Sequence, residues 1–318
     1  MSRPILVFDG LNCFYRHFVA NPSMSQNGDP IGGIIGFLKG INLLCERYNP
    51  SGIYVVWEGG GSSRRRSIDK SYKQGRRPEK LNRFYSEDIP NTVSNRNDQI
   101  SKLVSLLRYT SIPQIYVSDC EADDIIARIV STTFPEDEFI IISSDRDFFQ
   151  LINDRISVWS PGSKKRWTTE LVLEKYSIHP TNFCAARCFI GDGSDGLKGA
   201  SGVGFKSLAK RLPELSSSDS VSVDDIVTKC RLLQEQKSLK LYDSIIRNAD
   251  IAKKNWKLMY LGSGNLSGTQ MQKVDGILDN DAGPRNKLGF VRALLQLGIT
   301  NFDYDKLFMA LKPALYRE

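Results

Sequence analysis

Residues 139–147 read FIIISSDRD, four apolar residues followed at once by two serines and then by Asp145 and Asp147. A short run that is apolar at every position, rather than at alternate ones, is typical of a strand buried on both faces of a parallel sheet. Similar runs occur at 5–8, 53–57 and 115–117. Helical patterns separate them at 33–48, 97–109 and 121–132. This alternation predicts an α/β fold with a mostly parallel sheet and right-handed crossovers.

Carboxylates follow each predicted strand. They are Asp9, Glu58, the group Glu121, Asp123 and Asp124, and the pair Asp145 and Asp147. Because the carboxyl ends of parallel strands lie along one edge of a sheet, where ligands bind in such folds, we expect these side chains to converge. Each of them alone has a structural alternative, since Asp after a strand commonly caps a helix and favours its dipole.

Asp123 does not fit the structural alternative. In a helix it shares a stripe with Ile126, Ala127 and Val130, the face that should be buried. A carboxylate there costs several kcal/mol unless it is paired or bound to a metal. Asp192 and Asp195, in the run IGDGSDG at 190–196, add two further acids.

So many clustered acids repel one another unless cations neutralise them. Two Mg²⁺ ions roughly 4 Å apart would neutralise the cluster and suit phosphodiester hydrolysis. Mn²⁺ is the expected substitute, because both are hard cations that prefer oxygen ligands. The acids therefore predict two metal ions.

The net charge of +7 is concentrated in one segment. Residues 64–83 hold nine basic and two acidic side chains, so they account for the whole excess. Two interpretations are open: a solvated surface, or an element that binds phosphates. The segment 59–97 begins with GGGSS and has the composition of an insertion that rises from the end of a strand.

A glycine turn follows the last acids. Gly202, Val203 and Gly204 precede a predicted helix that carries Lys206 and Lys210. Glycines let the backbone N–H groups approach phosphates closely, although an ordinary connection between two helices remains an alternative. From 181 to 258 the pattern is helical, and the tail at 286–315 has helical periodicity too.

Composition excludes several other kinds of protein. No apolar run approaches the roughly 20 residues that span a bilayer, and the N-terminus lacks the pattern of a secretory signal, so we expect a cytoplasmic protein. Six scattered cysteines form no disulfide pattern and should be reduced and mostly buried. With only two histidines, at positions 17 and 179, a structural zinc site or a Ser-His-Asp or Cys-His nucleophile system is disfavoured.

These motifs together resemble the flap endonuclease/5′-3′ exonuclease superfamily of 5′ nucleases. The matching elements are Phe8-Asp9-Gly10, Glu121-Ala122-Asp123-Asp124, Ser144-Asp145-Arg146-Asp147, Gly191-Asp192-Gly193-Ser194-Asp195 and Gly202-Val203-Gly204-Phe205-Lys206. The similarity runs from Asp9 to about Leu212 and is greatest to the bacteriophage members, which include the ribonuclease H enzymes of T-even phages.

The resemblance implies a PIN-like nuclease domain at 1–180, with a helical arch at about 60–97. It also implies a smaller helical DNA-binding domain at 181–318, with a helix-3-turn-helix at about 183–212. Asp9, Glu121 and Asp123, with Asp124 beside them, would serve the first metal. The second metal would be held by Asp145, Asp147, Asp192 and Asp195. K⁺ is a further candidate at the helix-3-turn-helix.

The resemblance also assigns residues that contact the substrate. Lys73 and Arg76, in SYKQGR at 71–76, would contact the scissile phosphate and steady its developing charge. Candidate DNA contacts are Arg16, Arg64, Arg65, Arg66, Tyr72, Arg77, Gly202, Gly204, Lys206 and Lys210.

The implied substrates are branched or 5′-ended duplex DNA and RNA–DNA hybrids, cleaved to leave a 3′-hydroxyl and a 5′-phosphate. The implied enzyme acts as a monomer in phage DNA replication, where it removes RNA primers in the host cytoplasm. A single-stranded-DNA-binding protein is its expected partner.

One position departs from the family pattern. Glu58 stands where the family has Asp, and its longer side chain changes the reach of the first metal site. Two alternatives remain: a DNA-binding protein whose nuclease site has decayed, and a haloacid-dehalogenase-type phosphatase with Asp145 as nucleophile. The phosphatase leaves Asp9, Asp123 and the glycine turn unexplained.

Overall fold

The structure, a computed structural model, describes residues 3–74, 92–133, 136–279 and 283–315. A six-stranded sheet lies at its centre, with the strand order β3-β2-β1-β4-β5-β6. The strands are β1 (Ile5–Asp9), β2 (Gly52–Trp57), β3 (Gln114–Tyr116), β4 (Phe139–Ile142), β5 (Ile156–Ser160) and β6 (Lys165–Trp167). The first five are mutually parallel, and β6 pairs antiparallel with β5.

The four predicted strands are confirmed, and β1, β2 and β4 are buried at every position. Alternate residues of β1 enter two different cores, with Val7 on one face of the sheet and Phe8 on the other. A strand covered on both faces has no polar alternation, which is why these runs are continuously apolar.

Helices cover both faces. One face is covered by α1 (Gly10–Ala20), α2 (Gly32–Tyr48) and α4 (Thr92–Leu107), together with the tail helices α13 (Lys287–Gln296) and α14 (Tyr304–Leu311). The helices α3 (Ser63–Ile68) and α5 (Ala122–Arg128) lie at the edge and on the opposite face, and a wider helical turn at Ile129–Thr133 continues α5. The predicted helix at 97–109 thus begins five residues earlier, and the helix at 121–132 is regular only to Arg128.

The remaining helices share the core of that opposite face. They are α6 (Thr169–Tyr176), α7 (Pro180–Ile190), α8 (Phe205–Arg211), α9 (Val223–Gln236), α10 (Lys240–Arg247), α11 (Ala249–Met259) and α12 (Gly268–Leu278). This confirms a helical region after the sheet. In the predicted arch insertion, α3 and the first residues of α4 belong to the described residues, whereas 75–91 lie outside them.

The six cysteines are all buried and unpaired, as the sequence predicts. Among the helices of the described residues, none combines the length and the hydropathy that crossing a bilayer requires.

Gly10 sets how closely α1 follows β1. A β-carbon at this position would lie 2.6 Å from the ring of Trp57 and 2.8 Å from the carbonyl oxygen of Val56. Both neighbours belong to buried β2, so neither has room to move. Glycine therefore lets α1 begin immediately after Asp9.

We predict that Gly10→Ala destabilises the protein by about 1–3 kcal/mol, because the methyl group overpacks this junction. Urea unfolding measures the loss. Gly276→Ala is the matched control: a β-carbon there meets nothing within 4 Å, in the interior of α12. The control should gain up to about 1 kcal/mol from helix propensity. Equal stability of the two variants would contradict the close approach at Gly10.

Candidate active site

Acidic side chains meet at the carboxyl edge of the sheet. Phe8 lies opposite Ile142 of β4, so the next residues of the two strands are neighbours as well. The hydroxyl of Ser143 donates to Asp9 Oδ2 at 2.9 Å, and Asp9 Oδ1 accepts from the backbone N–H of Asn12 at the start of α1. Asp9 thus caps a helix and at the same time faces the edge of the sheet.

The edge opens into a cleft of about 650 Å³. Its charged lining residues are Asp9, Arg16, Glu58, Lys73, Glu121, Asp123 and Asp145. The predicted convergence of Asp9, Glu58, Glu121, Asp123 and Asp145 is therefore confirmed, although they come from four separate parts of the chain. We call this space the acidic cleft.

Four carboxylates of the acidic cleft have raised pKa values. Burial, followed by repulsion from Asp145 and Glu58, raises the pKa of Asp9 to about 7, although hydrogen bonds from Asn12 and Ser143 oppose the shift. Burial raises the pKa of Asp123 well above its ordinary value, and the nearby charges of Asp145 and Asp9 add to the shift. Burial also raises the pKa values of Glu58 and Asp145. Ionising any of these four carboxylates in the folded protein therefore costs free energy.

Glu121 is the exception among the cleft acids. Although burial opposes it, the guanidinium of Arg65 and the ammonium of Lys73 hold the pKa of Glu121 below its usual range. Lys73 Nζ lies 2.6 Å from Glu121 Oε2, and the Tyr72 hydroxyl donates to the same oxygen at 3.3 Å. Lys73 therefore lies within the acid cluster, and its positive φ of 60° marks a tight local turn.

Glu58 lines the acidic cleft despite its departure from the family pattern. Its carboxylate accepts from the backbone N–H of Gly61 at 3.2 Å and from that of Ala122 at 3.4 Å. These bonds tie the end of β2 to the start of α5. The longer side chain is thus held by the backbone on both sides.

Two predicted residues have a different role. Asp124 and Arg65 form a buried bidentate ion pair, with Nη1–Oδ2 at 2.5 Å and Nη2–Oδ1 at 2.8 Å. Asn265 also donates to Asp124 Oδ1, and Arg65 Nε donates to the carbonyl of Leu258. Arg65 is 1% exposed, so its assignment as a DNA contact is wrong. Asp124 as a metal ligand is corrected too, because the guanidinium occupies both of its oxygens.

The assignment of Tyr72 as a DNA contact is wrong for the same reason as that of Arg65. Its side chain is buried and its hydroxyl faces Glu121, so it supports the acid cluster and presents no ring to a nucleic acid. Arg64 is half-buried, and its Nη2 donates to Asn265 Oδ1 at 2.7 Å, whereas Arg66 is exposed near Asp119. Arg76 and Arg77 lie outside the described residues.

Arg187 is a residue that the sequence interpretation missed. From α7 its Nε donates to Asp147 Oδ1 at 2.7 Å, and its Nη2 donates to Asp192 Oδ2. Asp147 nevertheless keeps a pKa raised to about 7 by burial and by Asp145. A cation in the otherwise apolar stretch FCAARCFI was the available signal, because a buried charge needs a partner.

The predicted second metal set is thus divided. Asp145 lines the acidic cleft, whereas Asp147 and Asp192 hold the guanidinium of Arg187 between them. Asp195 is buried, and its backbone carbonyl accepts from the N–H of Lys73 at 3.2 Å. Within the described ranges, no three His, Cys, Asp or Glu side chains are already arranged as a metal-binding set. Carboxylate oxygens are the donors that hard divalent cations prefer, and a bound cation would offset the repulsion among these acids.

The predicted glycine turn connects α7 to α8. Gly202 has φ +74°, which favours glycine, and the N–H of Gly204 donates to Ser207 Oγ at the start of α8. Lys206 and Lys210 are exposed on α8. Their binding to a phosphate backbone remains a prediction.

Comparison with known proteins identifies relatives. A family model described as the 5′-3′ exonuclease N-terminal, resolvase-like domain matches residues 4–177. The chain is 30% identical over 252 residues to the thermostable DNA polymerase I of Thermus thermophilus, over 76% of this chain and 28% of the polymerase. It is 29% identical over 259 residues to the 5′-3′ exonuclease of Buchnera aphidicola subsp. Schizaphis graminum, over 80% of this chain and 82% of the exonuclease. The chain therefore spans little more than a quarter of the polymerase.

Solved structures share the fold. The bacteriophage T5 D15 protein, co-crystallised with metal ions, superimposes with a TM-score of 0.68 at 19% identity, over 93% of this chain and 100% of that chain. The catalytic core of Rad2 in complex with a DNA substrate gives a TM-score of 0.53 at 15% identity, over 100% of this chain and 93% of that chain. The expected PIN-like fold, a mostly parallel sheet followed by a helical region, is confirmed.

We predict that Arg65→Ala destabilises the protein by about 3–5 kcal/mol, because it leaves Asp124 buried and unpaired. Urea unfolding in the absence of nucleic acid measures this loss. Adding Asp124→Asn to the Arg65 variant should recover part of it, which a double-mutant cycle quantifies. A loss below about 1 kcal/mol would mean that the buried pair contributes little and that Arg65 is free for another role.

We predict that Asp9→Asn stabilises the protein at pH 8 in EDTA by about 1–3 kcal/mol. The folded-state pKa of Asp9, about 7, lies above its ordinary value of 3.8. Ionisation of Asp9 therefore lowers the stability of the folded state. This loss of stability is absent below pH 4, grows between pH 4 and pH 7, and reaches its full size above pH 7. Urea unfolding at pH 4 and pH 8 measures the difference, and excess Mg²⁺ should reduce or reverse it. An equal effect at both pH values would contradict the electrostatic origin.

Proposed function

The chain belongs to the family of the 5′-3′ exonuclease N-terminal, resolvase-like domain, and from this premise we propose that it is a structure-specific 5′ nuclease with flap endonuclease and 5′-3′ exonuclease activity. The acidic cleft is the observation that supports the proposal most: five carboxylates from four separate parts of the chain share it, and burial raises the pKa values of four of them. A fold keeps such a cluster at a cost unless cations of opposite charge bind there.

Two Mg²⁺ ions, or Mn²⁺ in their place, are the proposed cofactors. Asp9, Glu58, Glu121 and Asp123 would hold the first, and Asp145 with Asp195 would hold the second. Asp147 and Asp192 can bind the second ion only if Arg187, which is paired with both of them, moves away. Bound there, the ions supply the Lewis-acid charge that phosphodiester hydrolysis requires.

The chain's own cations complete the mechanism. The hydrogen bond to Glu121 holds the ammonium of Lys73 at the acid cluster. Burial lowers the pKa of Lys73, but the charges of Asp123 and Glu121 outweigh burial and raise it, so the side chain remains charged. In that state it can donate to a non-bridging oxygen of the scissile phosphate and stabilise the charge that develops there. Arg16, exposed on α1 at the mouth of the acidic cleft, is positioned to bind an adjacent phosphate.

The proposed substrates are branched or 5′-ended duplex DNA and RNA–DNA hybrids, with removal of RNA primers as the role in replication. The turn at Gly202 and Gly204 and the exposed Lys206 and Lys210 would hold the duplex backbone, with K⁺ as a candidate ion at the turn. A domain boundary near 180, a monomeric state, a phage origin and a single-stranded-DNA-binding partner belong to the same proposal.

The two alternative functions are less consistent with the structure. A haloacid-dehalogenase-type phosphatase would use Asp145 as its nucleophile, but Asp145 follows β4, and Asp9 and Asp123 would have no role in it. A decayed nuclease would have lost acids from the cleft, whereas Asp9, Glu58, Glu121, Asp123 and Asp145 all line it.

We predict that Asp145→Asn lowers cleavage of a 5′-flap substrate with Mg²⁺ by at least about 10³-fold, a loss of roughly 4 kcal/mol in transition-state stabilisation. Binding of the same substrate in Ca²⁺ should change by less than about twofold. Glu235→Gln, an exposed acid on α9, is the control and should retain full activity. Tight binding without cleavage by the unmodified chain would refute the nuclease proposal.

We predict that Lys206→Ala weakens duplex binding and reduces the slope of log affinity against log salt by about one unit, because one phosphate contact is lost. Fluorescence anisotropy over a range of salt concentrations measures both. Lys229→Ala, which removes an exposed charge from α9, is the matched control and should leave the slope unchanged. Equal slopes for the two variants would remove α8 from the interface.

A further inference from the structure

A second cavity lies beside the acidic cleft, on the α1 and α2 face of the sheet. It has a volume of about 250 Å³, and the proposed nuclease function does not use it. Its walls are apolar and include Phe8, Phe37, Leu44 and Trp159. Because pockets for drug-sized ligands occupy roughly 300–1,000 Å³, this cavity suits a smaller group. We call it the apolar pocket.

Cations surround the apolar pocket. Arg16, Arg47 and Lys164 line it, all three are exposed, and the lining residues that belong to the described ranges include no carboxylate. Within the described part of the chain, none of the three forms an ion pair with a carboxylate. The charge of this rim therefore complements an anionic ligand whose apolar part fits between aromatic walls.

The walls are suited to an aromatic ring. Trp159 is a buried lining residue. The guanidinium carbon of Arg47 lies 4.5 Å from the centroid of the Trp159 ring, and this cation–π contact holds Arg47 against the aromatic wall. Aromatic side chains and arginine planes are the groups on which nucleobases stack. Phe37 in turn stacks on buried Trp57, with the two ring centroids 6.0 Å apart, so this wall is packed against the core.

The lining of the apolar pocket also includes a histidine. His17 is half-buried and faces the apolar pocket from α1. Burial, and to a lesser extent Arg16, lowers its pKa, so its ring is neutral near pH 7. A neutral imidazole can both donate and accept a hydrogen bond, as the edge of a base requires.

Arg16 connects the apolar pocket to the acidic cleft, because it lines both. The turn between β5 and β6 approaches it closely: a β-carbon at Gly162 would lie 3.5 Å from Arg16 Nη1 and 3.3 Å from Ser144 Oγ. Ser144 directly precedes Asp145. A ligand in the apolar pocket thus lies next to the acids of the proposed catalytic site.

We propose that the apolar pocket is a nucleotide-binding site, in which the base lies against Trp159 and the phosphate is held by Arg16 and the neighbouring rim cations. Its ligand is either a free mononucleotide or one base of the bound strand. The second source rests on the proposed nuclease function, and the first does not. A base held there would fix the register of the strand relative to Asp145.

The first test measures binding of dAMP to the full chain in EDTA, which keeps divalent cations from drawing phosphate to the acidic cleft. Fluorine NMR of fluorotryptophan-labelled protein locates the ligand. The Trp159 signal should shift with dAMP, and that of Trp256, on α11, should not. Inorganic phosphate and deoxyadenosine should each bind at least tenfold more weakly than dAMP, because each lacks half of the recognition.

A matched pair of double variants tests the rim. Arg47→Gln with Lys164→Gln should weaken dAMP binding at least fivefold, whereas Arg231→Gln with Lys229→Gln, the same charge change on exposed positions of α9, should not. All four side chains are exposed, so folding should be retained, which circular dichroism checks.

The second test separates the two sources. Flap substrates with one abasic site at successive positions are bound in Ca²⁺. A single position where loss of the base weakens binding at least threefold, and only in protein with the intact rim, assigns the apolar pocket to a substrate base. A flat scan with intact dAMP binding assigns it to a free mononucleotide.

The proposal is overturned if dAMP leaves the Trp159 signal unmoved at millimolar concentration and the abasic scan is flat. The same result would follow if an apolar side chain of a partner protein fills the pocket. Cleavage is scored separately on the flap substrate with Mg²⁺. Absent cleavage with intact dAMP binding would refute the nuclease proposal and leave the nucleotide site standing.

Discussion

Repulsion among partly buried carboxylates is the constraint on which the functional edge of this protein depends. The parallel sheet brings Asp9, Glu58 and Asp145 to one edge, and α5 adds Glu121 and Asp123. Burial then raises the cost of ionising them, as the pKa of about 7 for Asp9 shows. A fold could avoid this cost with apolar residues at the strand ends. The cluster is therefore the basis of the proposal that cations bind at this edge.

The chain neutralises part of this charge with its own cations, and those contacts join distant elements. Lys73 offsets Glu121 at the acidic cleft. Arg65 pairs with Asp124 and also donates to the carbonyl of Leu258, so it ties α3 and α5 to α11. Arg187 bridges Asp147 and Asp192, which follow β4 and α7. Among the described residues, Asp9, Asp123 and Asp145 line the cleft without an ion pair, although the nearby charge of Lys73 opposes the rise in the pKa of Asp123.

The sequence predicts the centre of the fold well, because a strand buried on both faces is apolar at every position, as in 139–142 and 5–8. It did not predict β5 and β6, since β6 carries Lys165 and Arg166 on a short antiparallel edge. The cleft acids were predictable from the positions that follow the strands. The ion pairs of Arg65 and Arg187 were not predictable. The sequence does not show whether a basic residue contacts a phosphate or a carboxylate some 40 to 60 positions away.

Direct counting of bound Mn²⁺ tests the central claim most directly, by electron paramagnetic resonance on the full chain without nucleic acid. Two bound ions per chain are predicted for the unmodified protein. Asp123→Asn should bind fewer, since its carboxylate lies within the acidic cleft. Glu235→Gln, remote on α9, should still bind two. No bound ion at millimolar Mn²⁺, or the same count in all three proteins, would contradict a divalent-cation role for the acidic cleft.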